Sequence, residues 1–303
     1  MSLQAVEQQL LLRCTFPPAG TSVQCAVSGG ADSLALLVLA VAARCNVTAV
    51  HVDHGIRPES HEDAAVVAAA AARFGADFLL RHVEVRPGPN LEARARAARY
   101  SVLDPGTFLG HTADDQAETV VINLLRGTGL DGLSGMKPDH RPILALRRSD
   151  TSHLCSVAGL IPIQDPTNED RRFLRNVVRH ELLPALSNAA DRDVVPILVR
   201  EAEIMREDAD LLNEQACRID ATDARALSEA PRALARRAVR EWLRPMLDDE
   251  LHPPGLAAVD RVLDVARGAA KACDVVANKR VVRSSQRLAL LDSPGRKPNE
   301  PLV

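Results

Sequence analysis

Val23-Gln24-Cys25-Ala26-Val27-Ser28-Gly29-Gly30-Ala31-Asp32-Ser33-Leu34 is the stretch from which the rest of the chain can be read. An apolar, β-favouring run stops at Ser28, two glycines follow, and an alanine- and leucine-rich segment continues to Ala43. This pattern predicts strand, tight turn and helix, an arrangement whose backbone N–H groups and helix N-terminus suit a phosphate. Gly29 and Gly30 allow backbone geometry that a side chain would block, and they let a ligand approach the main chain. Ser28 and Ser33 add hydroxyl donors. Asp32 falls in the first helical turn, where it suits the helix dipole but would repel a triphosphate. A hard cation resolves that conflict, because Mg²⁺ is commonly held by one or two carboxylates plus substrate phosphates. The loop therefore points to Mg-ATP, although an N-capped helix after a glycine turn would look the same. It has neither the glycine spacing and lysine of the P-loop nor the dinucleotide fingerprint.

Outward from the loop, strands and helices alternate. Residues 4–13 read as a helix, 47–52 as a second strand, 59–74 as an alanine-rich helix and 77–85 as a third strand. Asn90 caps a helix to about Leu103, and a fourth strand, Thr107–Gly110, leads into a helix over 113–125. This spacing predicts a doubly wound parallel sheet, in which ligands bind beyond the carboxyl ends of the strands. Ser28, Asp53 and His111 all fall at such ends. His51 and Asp53 would share a strand face and line a nucleotide pocket together with His54, a metal site there being the weaker reading.

Three further clusters carry chemistry. Glu92, Arg96 and Arg99 recur at helical spacing, either as a solvated salt-bridged face or as arginines presented to phosphate. His111-Thr-Ala-Asp114-Asp115-Gln116-Ala-Glu118-Thr119 places three carboxylates and a histidine in the first turns of a helix. Capping and the dipole account for acids there. His111, Asp115 and Glu118 can also share a face and bind a cation or move a proton. On a helix over 171–180, Arg172, Arg175 and Arg179 form a cationic stripe suited to phosphate. Between these clusters, Arg126 opens a segment with four glycines, Gly127, Gly129, Gly132 and Gly135, which reads as a mobile lid or RNA-facing loop.

Composition narrows the class. The 303 residues suggest two domains, and 46% hydrophobic with 25% charged content is ordinary for a globular protein. Aromatic content of 2% leaves few platforms for stacking bases. Net charge is −3, yet only Lys137, Lys271, Lys279 and Lys297 are lysines among 37 basic residues, which leaves 33 arginines. Six scattered cysteines without a C-x-x-C pair argue against zinc, iron–sulfur or dithiol chemistry and suggest buried thiols in a reducing cytosol. With no leader and no apolar run longer than Leu34–Ala43, a cytoplasmic protein without membrane contact is expected.

Ser28–Ser33 resembles the pyrophosphate-binding loop of the N-type ATP pyrophosphatases, or PP-loop enzymes. Val52-Asp-His-Gly-Ile-Arg-Pro-Glu-Ser60, His111–Thr119, Leu125-Arg-Gly-Thr-Gly-Leu130 and Asp165–Asn176 follow in the order and spacing of the tRNA(Ile)-lysidine synthetases, over residues 22–186. The resemblance implies an adenine nucleotide alpha hydrolase-like, Rossmann-like catalytic domain. It also implies ATP-dependent joining of L-lysine to C2 of the wobble cytidine of an isoleucine tRNA with a CAU anticodon. By motif position, Ser28, Gly29, Gly30, Ala31 and Ser33 would hold ATP, Asp32 would hold Mg²⁺, and Asp32, His111, Asp115 and Glu118 would form the reacting centre. Arg96 matches the family's Glu-x-x-x-Arg-x-x-Arg-Tyr pattern. A tRNA thiolase, or an ATP-binding regulator without turnover, is the alternative reading, and a homodimer is left open.

The domains are then expected at 1–190, catalytic, and 191–303, mainly helical and tRNA-positioning. In the second, 194–216 reads as a long helix and Ala277–Leu291 as a hairpin before a disordered tail. Arg232, Arg236, Arg240 and Arg244 recur every four residues, a stripe expected to bind tRNA backbone unless acidic neighbours pair with it.

Overall fold

The computed structural model describes residues 2–53, 55, 60–83, 94, 97, 98, 100–164, 170–246, 254–276 and 279–292. The chain divides into two compact units, Met1–Met205 and Arg206–Val303.

In the first unit, α1 (Leu3–Leu11) precedes β1 (Ser22–Ala26), α2 (Ala31–Ala42), β2 (Asn46–Asp53), α3 (Ser60–Phe74), β3 (Asp77–His82) and β4 (Phe108–Leu109). The strands form one parallel sheet in the order β3-β2-β1-β4. Helix α2 is apolar around its circumference and buries every residue from Ser33 to Ala40, as a helix wedged inside a domain must. Leu34, Leu36, Leu37 and Leu39 meet Cys25, Val47, Ala49, Ile143, Leu146 and Leu154 in one core. Aliphatic side chains and alanine fill it, and Phe16 and Phe108 add one edge-on aromatic pair at 6.2 Å.

The order of the strands positions the site. From β1 the chain steps outward to β2 and β3, then returns to lay β4 on the other side of β1. The reversal falls between β1 and β4, and a ligand crevice opens beyond the carboxyl ends of such a pair. The two ends touch: a Cβ on Gly110, just past β4, would lie 2.9 Å from the Asp32 carbonyl oxygen.

Helices α4 (Ala113–Leu125), α5 (Leu130–Leu133), α6 (Arg148–Val157), α7 (Leu174–Val177), α8 (Leu183–Ala189) and α9 (Val195–Ala216) follow. A π-helical turn over Val178–Leu182 joins α7 to α8, so the expected single helix over 171–180 is replaced by an α–π–α run. Ala113, Ala117 and Val121 of α4 pack with Val178, Leu183 and Val195 in a second core. The third strand ends at His82 rather than residue 85, and α6 starts at Arg148 rather than residue 150. The expected helix over 90–103 lies largely outside the described residues.

The glycine segment is tied down rather than loose. Gln116 Nε2 donates to the carbonyls of Ser134 and Met136, Met136 N–H donates back to Gln116 Oε1 at 2.7 Å, and Asn123 Nδ2 donates to Gly132 O at 2.8 Å. Gly135, at φ +65°, has the Gln116 amide where a Cβ would stand.

In the second unit, α10 (Ala224–Glu229) and α11 (Arg232–Leu243) pack on α12 (Leu256–Arg267), which lies on an antiparallel sheet ordered β5 (Ala272–Val276), β6 (Lys279–Ser284), β7 (Arg287–Asp292). The expected hairpin is its β6–β7 pair, with β5 added. Leu227, Val239, Leu243, Val259, Val262 and Val281 form the core. The expected tail after residue 292 lies outside the described residues. No helix among the described residues is long and apolar enough to cross a membrane. Four cysteines are buried, but Cys14 is half-buried and Cys217 exposed, so burial does not extend to all six.

Candidate active site

The Ser28–Ser33 loop leaves β1 and enters α2 with Gly30 as N-cap and no side chain capping the helix. The N-terminal backbone groups of α2 are therefore not claimed by a capping side chain, as a phosphate cradle requires. Gly29 has φ +91°, and a Cβ on it would stand 2.2 Å from Ile163 Cδ1, while Ile163 N–H donates to the Gly29 carbonyl at 3.0 Å. The loop thus needs glycine here for both its conformation and its packing. Buried Ser33 is a staple: its Oγ donates to Gly30 O at 2.9 Å and accepts from Ser28 N–H at 3.2 Å. Ser28 is the more exposed of the two, with its Oγ 3.2 Å from Ser33 Oγ.

Asp32 projects from the first turn of α2. Thr151 Oγ1 donates to its Oδ1 at 2.5 Å, and Arg148 Nε is 3.8 Å from Oδ2. Burial raises its pKa, and the hydrogen bond from Thr151 and the charge of Arg148 only partly offset this.

Across the crevice, Thr112 caps α4 in a reciprocal capping box with Asp115, whose Oδ2 accepts from Thr112 N–H at 2.8 Å. The other Asp115 oxygen accepts from Arg148 Nη2 at 2.6 Å. Glu118, one turn on, is fully buried. It accepts from Arg148 Nη1 at 2.6 Å, Arg179 Nε at 2.7 Å and Arg175 Nε at 2.8 Å. The π turn contributes here, since Arg175 lies before its start and Arg179 within it, and both reach the same carboxylate. Burial works against ionisation of Asp115, but Arg148 and Arg175 outweigh it and hold the carboxyl below its usual range. At Glu118 burial is likewise overcome, by Arg179 and Arg148. Arg148 is in turn held more strongly protonated, because Asp115 and Glu118 outweigh its own burial. Asp114 is clamped by Arg147 Nε and Nη2, both at 3.0 Å, and accepts from the Arg148 backbone N–H at 2.9 Å. His111 accepts from Arg141 Nε through its Nδ1 at 3.2 Å.

The structure thus gathers Asp32, Asp115, Glu118, Arg175 and Arg179 on one side of the sheet, with His111 two residues before α4. The expectation that Asp115 and Glu118 bind a cation or shuttle protons meets a different geometry, in which arginines occupy both carboxylates. Asp53 closes a turn by accepting from Gly55 N–H at 2.9 Å, and its other oxygen is 3.4 Å from His82 Nδ1. Buried His51 points Nδ1 at Val27 O, 2.8 Å away, which makes it a core residue. Arg126 is exposed at the end of α4, and Arg172 is exposed and closes on Asp170. His54, Arg96 and Arg99 lie outside the described residues. In the second unit, Arg232 and Arg236 share Asp260 and Arg244 pairs with Glu241, so these members of the stripe are held by acidic partners. Arg240 is half-buried on the same helix.

Sequence reasoning missed Arg148, Thr151, Arg141 and Ile163. Among the described residues, no three His, Cys, Asp or Glu side chains converge as metal ligands. Magnesium needs no such cage when phosphates supply most of its oxygens. Asp32, a desolvated carboxylate beside a phosphate-type loop, fits that donor set.

The PP-loop domain family, ATP_bind_3, matches residues 4–186. The chain is 42% identical over 274 residues to a tRNA(Ile)-lysidine synthase of Nocardia farcinica, covering 84% of this chain and 85% of that protein. It is 40% identical over 263 residues to the tRNA(Ile)-lysidine synthase of Mycobacterium tuberculosis H37Rv, covering 80% and 81%. Among solved structures, the U34-tRNA thiolase NcsA of Methanococcus maripaludis superposes with a TM-score of 0.54 at 16% identity, covering 68% of this chain and 80% of that one. That last likeness concerns the fold alone.

Proposed function

The chain belongs to the tRNA(Ile)-lysidine synthase family of PP-loop proteins, and from that premise we propose how its residues serve the reaction. The function is ATP-dependent ligation of lysine to C2 of the wobble cytidine in isoleucine tRNA with a CAU anticodon. Cytosine O2 attacks the α-phosphorus of ATP, the α–β bond breaks, and pyrophosphate leaves. The neutral ε-amine of L-lysine then attacks C2, the C2–O2 bond breaks, AMP departs with that oxygen, and the amine loses a proton. Adenylation comes first because O2 is a poor leaving group until it carries the phosphoryl ester.

Backbone N–H groups of Gly29–Ser33 and the α2 N-terminus bind the pyrophosphate moiety, with Ser28 adding its hydroxyl. Asp32 would hold Mg²⁺, which supplies charge neutralisation on the phosphates when bound. Asp115 and Glu118 stay ionised, and their part is to hold Arg148, Arg175 and Arg179 in place beside the reacting phosphate. His111 completes the reacting centre, and Asp53 lines the nucleotide side of the rim. Arg126 and Arg172, with Arg96 and Arg99, are assigned to the tRNA backbone, and Arg236 and Arg240 of the second unit are assigned to it as well.

The observation that carries this reading is the glycine-capped, side-chain-free start of α2 directly after β1, with Asp32 in its first turn. The test is product analysis with ATP, L-lysine and a CAU-anticodon isoleucine tRNA transcript. AMP, pyrophosphate and lysidine are expected, with pyrophosphate release dependent on tRNA. Formation of ADP and phosphate would overturn it.

A further inference from the structure

His111 is hydrogen-bonded in a way that fixes its proton. Arg141 Nε is the donor at 3.2 Å and His111 Nδ1 the acceptor. A guanidinium offers only N–H groups and does not deprotonate in proteins, so Nδ1 must present its lone pair and the ring proton must sit on Nε2. Protonating Nδ1 would set N–H against N–H and place a second cation beside the first.

Arg141 cannot easily swing away. Its Nη1 donates to the carbonyls of Lys137 at 2.9 Å and Asp139 at 3.0 Å, and its own N–H donates to Pro138 O at 2.9 Å. The turn that carries it is pinned on both sides. Leu109 N–H of β4 donates to His140 O at 2.8 Å, and Gln116 of α4 grips Met136. The His111 backbone is fixed in turn, its N–H donating to Leu109 O at 2.9 Å. From α4, Asp115 acts on the same ring with its negative charge, which favours imidazolium and so opposes Arg141. Of the two, Arg141 is the group in hydrogen-bond contact with Nδ1.

We propose that Arg141 is a positioning residue that keeps His111 as the neutral Nε2–H tautomer, so that His111 serves the reaction as a hydrogen-bond donor and not as a general base. A neutral imidazole N–H is a sound electrophilic partner for an oxygen that gains negative charge, and it keeps its proton throughout. Two such oxygens arise in the scheme above, on the departing pyrophosphate and on the AMP that leaves C2. The role in the reaction rests on the function proposed above, whereas the tautomer rests only on the geometry of Arg141.

The experiment is nitrogen NMR of the full chain labelled with ¹⁵N in histidine, assigned to His111 by comparison with His111→Gln. In the wild type, His111 should show one bare nitrogen, Nδ1, and one protonated nitrogen, Nε2. In Arg141→Ala it should average between tautomers. In Arg141→Lys, whose ammonium can still donate to Nδ1, the wild-type pattern should partly return. In lysidine formation, Arg141→Ala should lower kcat about 10- to 100-fold, in the range of a lost donor to a developing oxyanion. KM for ATP should change little, and Arg141→Lys should recover part of the loss. A wild-type ring protonated at Nδ1, or the same tautomer in wild type and Arg141→Ala, would overturn the proposal. So would a shifted tautomer in Arg141→Ala with kcat unchanged. If the wild type forms no lysidine at all, the functional reading falls, while the NMR pattern still decides the tautomer.

Discussion

Replacing Glu118 with Gln should be among the most damaging single-atom changes in the first unit. Glu118 is completely buried and accepts four N–H bonds from three arginines, at 2.6, 2.7, 2.8 and 3.3 Å. Glutamine keeps the shape but turns one oxygen into a donor. Two of the four bonds then lose their acceptor, whichever oxygen is replaced, because Arg148 Nη1 and Arg179 Nε share one and Arg175 Nε and Arg179 Nη2 share the other. Bonds to charged groups contribute about 1.5–3 kcal/mol each. Breaking a buried ion pair from one side costs about 3–5 kcal/mol. Both routes agree on a loss of about 3–5 kcal/mol, or roughly 6–20 °C in Tm for a unit of this size. Urea unfolding followed by circular dichroism at pH 7 measures it, with Glu118→Asp as a milder companion should the glutamine variant not fold. The sign with pH follows as well. Asp115 and Glu118 have depressed pKa values in the folded state, so their stabilisation is present above the ordinary carboxylate range near about pH 4. It is lost as pH falls through the lower folded values. The glutamine variant should therefore show a flatter acid limb than the wild type. A loss below about 1 kcal/mol together with an unchanged acid limb would refute the reasoning.

Asp32→Asn should go the other way: burial disfavours the Asp32 charge, so the variant should gain roughly 0.5–2 kcal/mol while losing ATP turnover, and a lower midpoint in urea would contradict this. Gly29→Ala meets both φ +91° and Ile163, so it should lose roughly 1–3 kcal/mol and ATP binding. Adding Ile163→Ala should restore part of the stability but not the binding, and calorimetric titration with ATP separates the two. Asp260→Asn frees Arg232 and Arg236 from their shared partner, so tRNA binding should tighten at low salt and its log–log salt slope steepen by up to about one unit per new phosphate contact. Unchanged affinity and slope would show that the stripe does not face RNA.

The sequence made the sheet legible because each signal there was local. The run Val23–Val27, the glycine pair and the uniformly apolar α2 each carry their own local signal, and the parallel sheet follows from the alternation of strands with helices, whereas the strand order does not. The boundaries of α4 were likewise legible, because Thr112 and Asp115 announce a capping box three residues apart. What stayed hidden depends on distance in the chain. Arg148 contacts acids 33 and 30 residues away, and Thr151 reaches Asp32 over 119. Neither has a local pattern that distinguishes it from an ordinary helix start. The π turn was invisible for the same reason. Arg175 and Arg179 have the spacing of a plain helix face, and no local signal marks the π turn that begins between them at Val178. The arginine stripe at 232–244 showed its spacing but not Asp260, which arrives from the next helix.

The charges of the site bear on how a triphosphate can enter it. Asp32, Asp115 and Glu118 face Arg148, Arg175 and Arg179, three of each sign, so the cluster offers an incoming polyanion no net attraction of its own. The compensation is also uneven. Arg148 sits 2.6 Å from both Asp115 and Glu118 but 3.8 Å from Asp32. Asp32 is therefore the carboxylate of this cluster farthest from the Arg148 guanidinium, and burial raises its pKa. On the proposal that Asp32 holds Mg²⁺, a cation that arrives with the nucleotide would meet both needs at once, by neutralising the phosphates and by completing Asp32. The arginines can then stay on their carboxylates, which keeps three guanidinium groups fixed beside the crevice before any substrate binds. Fixed donors of this kind need not reorganise as charge develops, and that is the condition under which electrostatic stabilisation of a phosphoryl-transfer transition state is most effective.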